Sequence, residues 1–272
     1  MPAAIIDIGV NLTHDSFDHD RQAVLDRAVA AGVVQMIVTG TSVAASTDAA
    51  ALSAANPGVI FATAGMHPHH ASEFDDDAVA RFRQLAQHPQ VVAIGECGLD
   101  HFRNFSPPAD QERAFVAQLE LAAEVQLPVF LHQRDAHETF VSILREYRDR
   151  LCGGVAHCFT GNKRELHDCL DLDLHIGITG WICDERRGHD LRAAAASIPA
   201  GRLMIETDAP YLLPRDLTPQ PKTRRNEPMH LPHILEVLAD HSNRDFSELA
   251  RETTATARSF FDLPVADPRV PG

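Results

Sequence analysis

The chain has 272 residues, 44% of them hydrophobic and 23% charged, a balance that suits a soluble globular protein with ample core-forming material. Its formal net charge of −14 argues against a broad electrostatic grip on nucleic acid, so any anionic ligand must be held locally. The opening Met1-Pro-Ala-Ala-Ile-Ile-Asp7 lacks the basic segment and long apolar core of a signal peptide. No run of eighteen or so apolar residues suggests a membrane span, and five cysteines without metal-finger spacing fit reduced thiols in the cytoplasm.

Taken in order, Ala3 to Gly9 is an apolar, β-branched run that predicts strand one, and the helical spacing of Asp18 to Ala31 stops at Gly32. Val33 to Thr39 predicts strand two, and Ala-rich Val43 to Ala55 a helix closed by Asn56-Pro57-Gly58. Strand three is Val59 to Ala64, followed by the loop Gly65-Met-His67-Pro-His69-His70 and a helix near Asp75 to Gln87. Val91 to Gly95 predicts strand four and Pro108 to Gln126 a long helix. Val129 to His132 is strand five, with a helix over Ala136 to Arg150. Val155 to His157, Leu174 to Thr179 and Leu203 to Thr207 predict strands six, seven and eight, with helices at Lys163 to Leu170 and near Leu191 to Ser197. A long Pro-rich loop then leads to closing helices near Leu231 to Asp240 and Phe246 to Phe261. Eight strands alternating with helices predict an α/β fold of the (β/α)₈ TIM-barrel type. No linker or low-complexity stretch divides the chain, so residues 1–272 read as one domain.

Several apolar runs end in a metal-type ligand: Ile94-Gly95-Glu96, Pro128-Val-Phe-Leu-His132, Gly154-Val-Ala-His157 and Leu203-Met-Ile-Glu-Thr-Asp208. Asp, Glu and His are the oxygen and nitrogen donors for a hard or borderline divalent cation. In a (β/α)₈ barrel, residues at the C-terminal ends of strands converge on the face that hosts active sites. Glu96, His132 and His157 are therefore expected to form a three-ligand centre with an open position, and Asp208 to be a further ligand or the general base. Singly, each histidine reads more readily as a hydrogen-bonded core residue, and Glu96 as a solvated strand end; the repetition favours ligands. Cys97 and Cys158 adjoin two of the ligands, but neighbouring side chains on a strand face opposite ways, so both are expected to be buried and turned from the site.

His67, in the loop after strand three, is expected to contact a substrate phosphate, with a capping role the alternative. Basic residues gather in loops on the same face: Arg103, Arg134, Arg186, Arg187, Lys222, Arg224 and Arg225. Arginine forks match phosphate oxygens, so Arg134, Arg187 and Arg225 are taken as substrate contacts, against the alternative of local pairing with acids such as Asp184 and Glu185. Trp181 offers a surface for a nucleobase, though buried packing is the commoner fate of tryptophan.

These stretches, from Asp7-Ile-Gly-Val-Asn-Leu-Thr13 through Gly65-Met-His-Pro-His69, Ile94 to Asp100, His157-Cys-Phe-Thr-Gly161 and Cys183-Asp-Glu-Arg-Arg-Gly188 to Glu206-Thr-Asp-Ala-Pro-Tyr-Leu-Leu-Pro-Arg-Asp216 and Arg224-Arg-Asn-Glu-Pro228, resemble the TatD family of metal-dependent deoxyribonucleases. The resemblance spans nearly the whole chain. It implies a barrel of the amidohydrolase type, and hydrolysis of DNA phosphodiesters from the 3′ end of single strands, in repair or in clearing fragmented DNA. It also implies a divalent cation, Mg²⁺ ahead of Mn²⁺ or Zn²⁺, as one or two ions held at Glu96, His132, His157 and Asp208. Many relatives carry a His-x-His pair at the end of strand one where this chain has Gly9 and Asn11, which bears on whether one ion or two are held. The expected protein is a cytoplasmic monomer acting on single-stranded DNA without an obligate protein partner. Two rivals are a deacylase of D-aminoacyl-tRNA, or another amidohydrolase-type enzyme, on the same metal site, and a non-catalytic binding scaffold. Product chemistry separates the first from a nuclease, and indifference to chelation would mark the second.

Overall fold

A computed structural model of the chain describes residues 3–265. Eight strands, β1 (Ile5–Val10), β2 (Val33–Val38), β3 (Ile60–Ala64), β4 (Val91–Asp100), β5 (Val129–Arg134), β6 (Gly154–Ala156), β7 (His175–Ile178) and β8 (Leu203–Ile205), form one sheet in sequence order. Among the described residues nine α-helices alternate with them or follow them: α1 (Arg21–Ala30), α2 (Val43–Ala55), α3 (Asp76–Leu85), α4 (Pro108–Val125), α5 (His137–Tyr147), α6 (Lys163–Asp171), α7 (His189–Ala195), α8 (Leu231–Ser242) and α9 (Phe246–Phe261). The pairings β3 to β4, β4 to β5, β5 to β6 and β7 to β8 are all parallel. β1 touches β8, and just past the two strands the Asp208 N–H donates to the Gly9 carbonyl at 2.8 Å and the Asn11 N–H to the Ala209 carbonyl at 2.7 Å. Sequential order with first against last strand is the (β/α)₈ barrel predicted from the alternation.

The chain divides into two compact units, one comprising the segments up to Ile37, Cys158–His167 and from Ile176 on, the other Val38–His157 with Asp168–His175. In the first, β1 is buried along its whole length and β7 and β8 pair through Ile176 with Leu203 and Ile178 with Ile205. In the second, all five residues of β3 and all ten of β4 are buried. Strands buried on both faces, by helices outside and by packed side chains inside the barrel, favour apolar residues at successive positions, which is why these segments read as runs rather than alternations. Side-chain oxygens set helix starts: Ser42 accepts the Ala45 N–H, Asp75 the Ala78 N–H and Asp245 the Glu248 N–H. Among the described residues no helix is long and apolar enough to cross a membrane.

Candidate metal centre

The centre is built on an irregularity in β4. Its register against β5 slips between Gly95, opposite Phe130, and Cys97, opposite Leu131, so Glu96 is the extra residue of a bulge. The bulge needs glycine on both sides. Gly95 and Gly98 hold φ of 137° and 144°, and a Cβ on Gly98 would meet the His132 carbonyl oxygen at 1.9 Å. The strand then runs on to Asp100, five residues beyond the predicted end, so Glu96 projects from within β4 rather than from its tip. His132 lies inside β5, and His157 follows directly on β6.

Three imidazoles close on one carboxylate oxygen. Glu96 Oε1 is 2.8 Å from His132 Nδ1, 3.4 Å from His67 Nε2 and 3.4 Å from His157 Nε2. The ligand atoms of His67, Glu96 and His132 all lie within 4.8 Å of one another, a set able to hold a metal ion. His67 thus joins Glu96 and His132 in this trio, where the sequence predicts His157, which lies equally near Glu96 Oε1. Around them, Asp100 Oδ2 sits 2.7 Å from His69 Nε2 and 3.7 Å from His132 Nε2.

The electrostatics suit a cation. Burial acts to raise the Glu96 carboxyl, but the surrounding His67, His157 and His132 imidazoles outweigh it and hold the group well below the usual carboxylate range. Burial likewise opposes ionisation of Asp100, and the nearby His132 imidazole with the hydrogen bonds from His69 and the Arg103 backbone overcomes it, keeping that carboxyl ionised. His67 goes the other way: burial pushes it down to about 4, leaving a neutral ring with a lone pair to donate at neutral pH. For His132 the Asp100 and Glu96 carboxylates outweigh the effect of burial and raise the ring. His132 Nε2 is nevertheless buried without a hydrogen bond among the described residues. An orphaned imidazole nitrogen beside an ionised carboxylate and a neutral histidine fits a divalent cation that accepts mixed N and O ligands.

Asp208 belongs to the other unit, three residues past β8, with φ at 52°. Its Oδ1 accepts from Asn11 Nδ2 at 2.9 Å, so the asparagine standing where many relatives are expected to have histidine is a hydrogen-bond donor to it. Beneath lies a fully buried carboxyl, Asp7, which accepts the Thr207 N–H at 2.9 Å and the Thr207 hydroxyl at 2.5 Å. The family model described as TatD related DNase matches residues 6–262.

This chain belongs to the TatD family. Chains named 3′-5′ ssDNA/RNA exonuclease TatD from Erwinia tasmaniensis and Cronobacter turicensis are each 54% identical to it, over 95% of this chain and 100% of the first, and over 94% and 97% for the second. Among solved structures, YJJV, a TatD homolog from Escherichia coli K12, superposes with a TM-score of 0.88 at 29% identity, covering 97% of this chain and all of that one. A TatD-family hydrolase from Entamoeba histolytica gives 0.86 at 25% identity with the same coverage. With the family goes the class of reaction: the chain is a metal-dependent hydrolase acting on ester bonds.

The structure sorts the basic residues of this TatD-family chain into two kinds. Arg225 forks onto both oxygens of Asp20, at 2.8 and 2.7 Å, and onto Glu227 at 2.7 Å, so it is committed within the protein; its bonds to Asp20, with help from Arg27, lower that carboxyl to about 2. Arg187 pairs with Asp184 and lies 4.2 Å over the Trp181 ring, covering a face on which a base was expected to stack. Arg103 and Arg134, by contrast, make no ion pair among the described residues and lie against the exposed rings of Phe102 and Phe105. Nothing in the sequence marks those two phenylalanines as exposed. Cys97 is fully buried and its thiol pushed up by burial, as expected of an inert residue, whereas Cys158 is only half-buried, with φ at 46°. Cys183, Asp216 and His233 form a second set of donor types, but burial beside Asp216 pushes the Cys183 thiol up, which keeps it protonated.

Proposed function

We propose that this TatD-family chain hydrolyses phosphodiester bonds successively from the 3′ end of single-stranded DNA, with Mg²⁺ as the working ion and Mn²⁺ or Zn²⁺ able to substitute. The observation that carries the reading is the convergence of three imidazole nitrogens on Glu96 Oε1 within 3.4 Å. The names of its close relatives support the strand polarity and the single-stranded substrate, and include RNA as a second substrate to test.

Glu96, His132, His157 and His67 would hold the ion, which would supply Lewis acidity toward the substrate phosphate and water. Asp208 takes the proton of the attacking water and aims it in line at phosphorus. Its donor Asn11 orients that carboxylate. Arg134, unpaired among the described residues, places a fork on substrate phosphate.

The test is a 5′-labelled single strand incubated with Mg²⁺, Mn²⁺ or Zn²⁺, each against an EDTA control. A ladder shortening from the 3′ end, erased by EDTA, is expected. Glu96→Ala and Asp208→Ala should each lower the rate by roughly 100-fold or more with an unchanged circular dichroism spectrum. Wild-type rates in either variant would refute the assignment.

A further inference from the structure

The loop joining β4 to α4 carries a feature that the hydrolytic centre does not use. Phe102 and Phe105 are 55% and 66% exposed, two of the few large apolar side chains left open among the described residues. Leaving two phenylalanines in water forgoes apolar burial that folding otherwise exploits, and here both occupy one short loop next to the metal-type donors. The Phe105 ring stands edge-on to His69, centroids 4.7 Å apart, and His69 is 4.2 Å from His67 of the donor trio. The Arg134 guanidinium carbon lies 4.0 Å from the Phe102 centroid, and that of Arg103 5.9 Å from both rings.

This loop is held rather than loose. Asp100 Oδ1 accepts the N–H groups of Phe102 at 3.0 Å and Arg103 at 2.7 Å. Ser106 Oγ donates to the His69 carbonyl at 3.0 Å, and Gln111 Nε2 donates to the Ser106 carbonyl at 2.8 Å. Asp100 therefore fixes the loop with one oxygen and the His69 ring with the other, so the exposed rings are set relative to the donors before any ligand arrives. In a protein of net charge −14, two guanidiniums without an acidic partner among the described residues, beside two open aromatic faces, have one fitting complement: a strand of alternating phosphates and bases.

We propose that Phe102 and Phe105 form a stacking platform for bases of the single-stranded substrate next to the scissile bond, with Arg103 and Arg134 on the flanking phosphates. The inference rests on the nucleolytic reading above and adds to it a reason for strand selectivity: bases in a duplex are paired and stacked on one another, so only a single strand can offer them to the rings.

Phe105→Ala and wild-type protein, both with Mg²⁺, are compared on a normal single-stranded oligonucleotide and on one whose last three 3′ positions are abasic. Phe105→Ala should raise KM on the normal strand roughly 5- to 100-fold, and Phe105→Trp should restore it. On the abasic strand the wild type should already show the raised KM, with no further change in the variant. Equal KM values for wild type and Phe105→Ala on the normal strand, or an equal loss on both strands, would overturn the platform while leaving the nuclease intact. A wild-type protein that leaves both strands uncut would instead remove the nucleolytic reading, and the platform with it.

Discussion

Glu96 reaches its three histidines because two glycines let β4 bulge against β5, and the tolerance at those glycines is measurable. At Gly98 an added methyl collides with the His132 carbonyl oxygen and the backbone is held at φ of 144°, so Gly98→Ala should destabilise the fold on the order of 3–5 kcal/mol. Gly58, with φ of 79° but nothing within 4 Å of an added Cβ, is the control; Gly58→Ala should cost only about 1 kcal/mol. Urea unfolding midpoints check both, and similar losses at the two positions would contradict the steric account. At this scale the sequence was informative about identity and silent about direction. Glu96, His132 and His157 stood out because each ends an apolar run, whereas the place of His67 in the trio depends on the loop after β3 folding back, which no local pattern encodes. Phe102 and Phe105 escaped notice because a phenylalanine in a sequence reads as core unless its loop is known to leave it in water.

The seam where the end of β1 meets the chain after β8 rests on a buried acid. Asp7 binds Thr207 through both carboxylate oxygens, and burial, the largest influence, raises it from 3.8 to about 7. A folded-state pKa above the unfolded one means that the folded chain holds the proton more tightly. Stability from this group is thus fully present below about pH 4 and is lost as pH rises through about 7, a range worth on the order of 4 kcal/mol. Asp7→Asn keeps an acceptor for the Thr207 N–H and has nothing to ionise. Relative to the variant, the wild type should lose stability between pH 4 and pH 8; melting curves in EDTA that stay parallel across that range would refute this. A second element-scale test concerns the loop after β8, which Arg225 ties to Asp20 and Glu227. Arg225→Met should lower the melting temperature; a raised KM for DNA with an unchanged melting temperature would return Arg225 to the role of phosphate contact. Pairing of this kind is hard to foresee, since Asp20 is about two hundred positions away and any exposed arginine looks available for substrate.

Across the whole chain, the order of elements was readable because fully buried parallel strands demand uninterrupted apolar runs, and these alternate with helical spacing from Ile5 to Phe261. Strand four was the exception: a bulge obeys neither periodicity, so the predicted strand stopped at Gly95 when the pairing continues to Asp100. The metal centre agrees in sign with the chain's net charge of −14, since ionised Glu96 and Asp100 with neutral His67 draw in a cation. The most direct measurement is anomalous diffraction from crystals soaked in Mn²⁺. A peak within about 2.5 Å of a Glu96 carboxylate oxygen and of nitrogens from His132 and His67 is predicted. Active crystals whose manganese peak lies away from Glu96, or that show none, would contradict the account.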